Sequence, residues 1–340
     1  MSELRTETVY AEGFFSRFAD VLGPYLARVG IAPEVLDEPS LLVEVPQFVE
    51  VMEVAARERA EDTLGLHMGE RLQPQDLGVV GYAIAHAGTV ERMLRTYVRY
   101  FVVYALGVEM NLEVDDNRVS WTYQLSDPAI LTRRQDAEMA LAFIHTVIQR
   151  GVGDDWQLLE VHFEHAKPKE VSEHRRIFQA PVLFDKPVNA LVFDKGMLDR
   201  KLKEADQRLF PALQSHLDSV LLERSEEQDL VAQVSNFIAK SLSSHVPSLA
   251  EVAEALGMPT WTLQRRLRDK ELVYSQLVTD TRRRLAEAYL KNANMPLMEV
   301  AFLLGYSEVS AFSRAFRRWM GKPPLEYRRA LLSGSPSSQL

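Results

Sequence analysis

LAEVAEALG (Leu249–Gly257) and LMEVAFLLG (Leu297–Gly305) lie 48 residues apart and share one skeleton, Leu-x3-Ala-x3-Gly. Each is followed by a basic, amphipathic stretch of helical period. A helix, a tight Gly turn and a second helix make a helix-turn-helix. The small Ala lets the second helix cross the first closely, and the Gly supplies the left-handed conformation of a short turn. In the first unit Leu249, Val252, Ala253, Leu256, Leu263 and Leu267 point inward. Trp261, Gln264 and Arg265 then share the outer face at i, i+3, i+4. In the second, Val300, Ala301, Leu304, Phe312 and Phe316 are inward. Ser310, Ser313 and Arg314 are outward at the same spacing, with Arg317 and Arg318 beyond them. Arg and Gln suit bidentate contact with guanine and adenine edges, and the two following arginines suit phosphate.

Between the units, Ser275–Lys291 contains no Gly or Pro and carries Arg282, Arg283 and Arg284. As a helix it spans roughly 26 Å at 1.5 Å per residue. With its flanking turns it can hold two recognition helices about one DNA turn, ~34 Å, apart. Its three arginines face either phosphate or solvent.

The charge of the chain divides at the same place. The net charge is −9. Residues 228–340 carry 15 Lys+Arg against 10 Asp+Glu, and residues 1–227 carry 24 against 38. The basic part suits a polyanion, and the acidic part stays off it. A length of 340 residues allows two or three domains. There is no cysteine, which excludes disulfides, thiolate nucleophiles and Cys-ligated zinc. The start of the chain lacks the basic and apolar regions of a signal peptide. The longest apolar run, Tyr100–Val108, is shorter than the ~20 residues of a membrane span. These features point to the cytoplasm and away from membranes.

The run GYSEVSAFSRAFRRWMGKPPLEYR (Gly305–Arg328) resembles the signature of the AraC/XylS transcriptional regulators, and the resemblance extends over Leu230–Arg329. It implies seven helices, with recognition helices near Thr260–Asp269 and Glu308–Trp319. By position, the family's base-reading residues fall on Trp261, Gln264 and Arg265, and on Ser310, Ser313 and Arg314. Leu272 departs from the pattern, since the family usually has Gly after the first recognition helix. LGVVGYAIAHAGTVERMLRTYVRYF (Leu77–Phe101) and FEHAKPKEVSEHRRIFQAPVLFDKPVNALVFDKGMLD (Phe163–Asp199) resemble the "arabinose-binding-like" domain of a subfamily. That group includes ornithine-utilisation and quorum-sensing-linked regulators. The resemblance implies double-stranded DNA, a small-molecule effector, a second copy of the chain and RNA polymerase as partners. It implies no cofactor and no enzymatic step.

Upstream, Phe14, Phe15, Phe18, Val21, Leu22, Tyr25 and Leu26 follow a 3.6 period that ends near Gly30. Phe48–Arg59 and Val90–Leu106 are further helices. Val108–Val114 and Arg118–Leu125 read as strands around a polar turn, with Val119, Trp121 and Tyr123 on one face. Asp127 with Pro128 predicts a helix to about Arg150. Strands follow at Trp156–Glu164, Val182–Asp185 and Ala190–Asp194, with a helix at Glu170–Phe178 and another at Pro211–Arg224. The expected fold is an α+β N-terminal domain with a small antiparallel sheet, then an all-α C-terminal domain with two helix-turn-helix units. The expected boundaries are 1–205 for the effector-sensing domain and 206–227 for a linker helix. The DNA-binding domain follows at 228–330, and 331–340 is a disordered tail.

Three tasks are open to the N-terminal domain: sensing a small molecule, a ligand-free dimerisation or partner module, or an enzyme. No phosphate-binding glycine loop, nucleophile elbow or acid/base pair supports the last. Tyr97, Tyr100 and Tyr104, with Phe101, form an aromatic stripe that lines an effector pocket or fills the core. Arg99 pairs with a ligand carboxylate, sits in a structural ion pair or snorkels to the surface. Leu213, Leu217, Val220 and Leu221 form an apolar stripe that faces either a second copy or the chain's own domain. Glu160, His162, Glu164 and His165 suggest a metal site, but on a strand residues three apart point to opposite faces, so no metal is expected. His145 and His174 are expected to be structural.

Overall fold

The computed structural model describes residues 8–203, 205–206, 208–227 and 230–334. Chain contacts divide it into two compact units. Among the described residues one is 8–125 together with Thr132–Glu227, and the other is the chain beyond Glu227 together with Ser126–Leu131.

The first unit is α+β. It contains β1 (Thr8–Tyr10), α1 (Phe14–Arg17), α2 (Ala19–Leu22), β2 (Leu42–Glu44) and α3 (Val45–Glu58). Next come α4 (Leu64–Arg71), α5 (Gly78–Ala85), α6 (Val90–Tyr104), β3 (Val108–Val114) and β4 (Arg118–Leu125). Then follow α7 (Arg134–Val152), β5 (Leu158–His162), α8 (Ser172–Phe178), β6 (Val182–Leu183), β7 (Asn189–Asp194) and α9 (Leu209–Glu227). The main sheet has the order β3-β4-β7-β5-β6, and β1 and β2 make a separate pair. The hairpin pairs Val108 with Leu125 and Val114 with Val119. Val119, Trp121 and Tyr123 are buried together on its inner face, as the alternation requires. β6 runs parallel to β5, because α8 carries the chain back between them, so the sheet is not wholly antiparallel.

α7 lies at the centre, with 15 buried residues. Gly65 and Gly69 let α4 lie against it: a Cβ at Gly65 would meet the Gln135 carbonyl oxygen at 2.1 Å, and one at Gly69 the Met139 carbonyl oxygen at 2.5 Å.

Two predicted helices differ. The run from Phe14 to Leu26 breaks into α1, α2 and a 3₁₀ segment, Gly23–Val29. Pro24 removes an amide donor from its middle, and buried phenylalanines at Phe14, Phe15 and Phe18 fold the chain on itself. The helix predicted from Asp127 starts only at Arg134. Asp127 caps a turn instead, its Oδ1 accepting from the Ala129 amide at 2.9 Å. That is the turn-forming habit of Asp.

The second unit is all-α, with α10 (Leu230–Ser241), α11 (Leu249–Ala255), α12 (Thr260–Asp269), α13 (Tyr274–Lys291), α14 (Leu297–Leu303), α15 (Val309–Met320) and α16 (Pro324–Gly334). Val252, Ala253, Leu263, Leu267, Val300, Ala301, Leu304, Phe312 and Phe316 share one buried core with α10 and α13. Residues 331–334, expected in the tail, are the end of α16; the rest of that tail lies outside the described residues.

Candidate functional site: a nucleic-acid interface and an internal cavity

Each helix-turn-helix is built from its turn outward. Ser248 and Glu251 form a capping box at the start of α11, so two of its free amides are satisfied by side chains. Gly257 and Gly305 follow the first helices at φ 64° and 74°. That leaves α12 anchored by Leu263 and Leu267, and α15 by Phe312, Ala315 and Phe316. Trp261, Gln264 and Arg265 are exposed. Trp261 is 63 % exposed, so it is no core residue. The Arg265 guanidinium carbon sits 5.3 Å from the Trp261 ring centroid, a cation–π contact that orders the pair on one face. On α15, Ser310, Arg314, Arg317 and Arg318 are exposed and Ser313 is half-buried. The Ser310 hydroxyl donates to Glu308 Oε2 at 3.0 Å.

The turn after α12 does not miss its glycine at Leu272. The Glu271 amide donates to Arg268 O and the Leu272 amide to Leu267 O, both at 2.9 Å. This is a Schellman end, whose left-handed residue is Glu271, at φ 59°. Leu272 is the apolar residue that follows and packs on the core. Gly321 holds the matching position after α15, at φ 74°.

The three arginines of α13 do different things. Arg282 donates from Nε to Leu304 O at 2.9 Å and from Nη2 to Gly305 O at 3.4 Å. Its guanidinium lies 4.6 Å from the Tyr306 ring centroid. It holds the second turn, a role sequence reasoning missed because its acceptors are backbone carbonyls 22 and 23 residues away. Arg283 lies 3.7 Å from Asp280. Arg284 pairs with Asp127 of the same unit at 2.5 Å.

In the α+β unit the aromatic stripe separates into two sites. Tyr97 and Tyr104, with Phe101, line an internal cavity of about 40 Å³. Arg99 and Tyr100 instead line an open groove of about 570 Å³ beside α9, with Arg92, Arg95, Phe210 and Gln214. There the Arg99 Nη2 and the Tyr100 hydroxyl both donate to Asp218 Oδ1, at 2.8 and 2.7 Å. Arg99 is thus in an ion pair within its own unit. The cavity also has Asp136 and Tyr123 in its wall. Neither was legible, since nothing local marks two residues thirteen apart as partners. The Tyr123 hydroxyl donates to Asp136 Oδ2 at 2.8 Å. Burial pushes the Asp136 carboxyl up to about 7.

The stripe on α9 is mixed. Leu217 is fully buried against its own unit, whereas Leu213, Val220 and Leu221 are half-buried. The suggested metal residues separate. His162 bonds to Glu160 at 2.8 Å, while His165 lies 3.5 Å from Glu138. Among the described residues no three His, Asp or Glu side chains are placed so that they could hold a metal ion. His145 accepts from Trp156 Nε1 at 3.1 Å, and burial holds it down at about 4. His174 bonds to Glu138 at 2.8 Å. No described helix is long and apolar enough to cross a membrane.

Residues 22–202 match the family described as the arabinose-binding domain of AraC transcription regulators, N-terminal. Residues 252–330 match a helix-turn-helix domain family. The ornithine utilization regulator of Pseudomonas aeruginosa is 28 % identical over 300 residues, 88 % of each chain. The regulator VirS of Mycobacterium tuberculosis is 27 % identical over 307 residues, 90 % of each. Among solved structures, the transcriptional regulator CdpR of Pseudomonas aeruginosa is 23 % identical and has a TM-score of 0.46. The match covers 92 % of this chain and 98 % of that one.

Proposed function

The chain belongs to the AraC-type transcription regulators, and from that premise we propose that it is a sequence-specific regulator whose α+β unit senses a small molecule. In this reading α12 reads bases through Trp261, Gln264 and Arg265. α15 reads them through Ser310, Ser313 and Arg314, while Arg317 and Arg318 hold phosphate. The observation that carries the proposal is that two helices on one core present exposed Gln and Arg side chains on their outer faces. Two copies on paired half-sites would raise apparent affinity by effective concentration, without new contacts. A ligand that prefers the DNA-competent state shifts the population toward it, with no chemical step. A contact with RNA polymerase would convert binding into altered transcription.

The test is selection of binding sites from a randomised duplex library. Arg265→Ala relaxes preference at one position of one half-site and costs about 1–3 kcal/mol. Arg317→Ala weakens all sequences alike and lowers the salt slope by about 1. An unchanged base preference for the Arg265 variant would sink the assignment.

A further inference from the structure

The internal cavity has a chemistry that selects its guest. Its walls are hydrocarbon and aromatic, including Val9, Phe14, Phe48, Leu77 and Phe143, and among the described residues no Lys, Arg or His lines it. Four deeply buried residues with polar groups belong to that wall, Tyr97, Tyr104, Tyr123 and Asp136, and two of them matter here. Asp136, on α7, is 2 % exposed, and Tyr104, on α6, is 5 % exposed. Among the described residues the Tyr104 hydroxyl has no hydrogen-bond partner. The Asp136 carboxyl is met by the Tyr123 hydroxyl. Glu53 and Glu164 act on it in the same direction as burial, and Arg133 opposes them. Glu12 and Asp76 add negative charge on the Tyr104 side, although Asp76 is paired with Arg17. A buried hydroxyl without a partner and a carboxyl in hydrocarbon are both costly. A guest that brings one cation with hydrogen-bond donors removes both costs.

We propose that this cavity is the effector site and that it takes a small primary amine with a short apolar body, its ammonium seated on the Asp136 carboxylate and donating to the Tyr104 hydroxyl. The proposal rests on the sensor reading above. Carboxylates and phosphates find no cation in the wall. An α-amino acid carries a carboxylate with the same difficulty, and a sugar puts several hydroxyls against hydrocarbon. The cavity holds about 40 Å³, and one water needs ~10–15 Å³. The space therefore fits a chain of about four heavy atoms, with larger amines requiring the wall to move.

Calorimetric titration of the full chain at pH 8 with n-propylamine, 1-propanol and propionate tests this. The amine binds saturably, the alcohol at least tenfold more weakly, and propionate does not bind. At pH 6 the amine binds about tenfold more weakly, since only about a tenth of a carboxyl with a midpoint near 7 is ionised. Asp136→Asn removes the preference for amine over alcohol. Tyr104→Phe weakens the amine a few-fold and serves as the second variant should Asp136→Asn fail to fold. Ala140→Leu, which fills the cavity, abolishes binding. An alcohol or carboxylate that binds as well as the amine overturns the amine assignment and leaves the sensor reading standing. Amine binding that survives Ala140→Leu overturns the site. If none of the three binds, the proposal falls. The sensor reading then falls with it only if no metabolite in a broad screen alters DNA affinity.

Discussion

Arg282→Ala would remove the tie between α13 and the turn of the second helix-turn-helix. The guanidinium bond to Leu304 O at 2.9 Å is a charged-donor hydrogen bond, worth about 1.5–3 kcal/mol. The bond to Gly305 O, at 3.4 Å, adds little. Stacking on Tyr306 at 4.6 Å adds about 0.5–1 kcal/mol. Because Arg282 is only half-buried, the lower end applies, and the loss comes to roughly 2 kcal/mol, about thirtyfold in an equilibrium constant. The neighbouring Arg283 is exposed and bonded only at 3.7 Å to Asp280, so Arg283→Ala should stay within about 0.5 kcal/mol. Urea unfolding of both variants measures the difference. Duplex binding across a salt series then separates a structural tie from a phosphate contact. A structural tie lowers stability and loosens the α15 half-site, but leaves the salt slope unchanged. A phosphate contact leaves stability alone and lowers the slope by about 0.9. That second pattern would refute the clamp. Arg282→Lys keeps the charge but not the fork, and should resemble Ala.

Glu271 occupies a left-handed position that costs an L-residue about 1–2 kcal/mol. Glycine's extra backbone entropy gives back about 0.5–1 kcal/mol of this, so Glu271→Gly should slow hydrogen exchange of the α12 amides about two- to fivefold, whereas Leu272→Gly speeds it by removing a core contact; the reverse order would restore Leu272 as the special position. Leu217 is fully buried, so Leu217→Arg should destroy the fold rather than release folded monomers. Leu222, 68 % exposed, is the better probe: Leu222→Arg stays folded, and light scattering reports whether α9 pairs between copies. Glu251 is held down at about 2 by the Ser248 hydroxyl and amide and by His245. Its folded value lies below the ordinary 4.5, so its contribution is complete above about 4.5 and is lost as the pH falls toward 2. Glu251→Gln should show no such dependence in acid unfolding curves.

What was legible in the chain follows the range of the interactions. The second unit could be read residue by residue, because Ala253, Gly257, Leu263 and Leu267 act within twenty residues of one another. The hairpin was legible for the same reason: Val119, Trp121 and Tyr123 alternate against a strand one turn away. Asp127 misled because a cap and a turn begin with the same side-chain bond. The tyrosine stripe misled differently. Period 3.6 places Tyr97, Tyr100 and Tyr104 on one broad face, and only the packing of β4, α7 and α9 divides it. Asp136 was invisible because its partners come from separate parts of the chain.

That division makes α6 a two-sided part. One flank, through Tyr97 and Tyr104, lines the apolar cavity. The other, through Arg99 and Tyr100, is a two-pronged grip on Asp218 of α9. Were the cavity to take a guest as proposed above, a displacement of α6 would reach α9 through that grip. The rod it grips, α9, ends at Glu227, three residues before Leu230 opens the DNA-reading unit. Under the proposed sensing role, Asp218 would be the carboxylate that links the cavity's contents to the last helix of its unit.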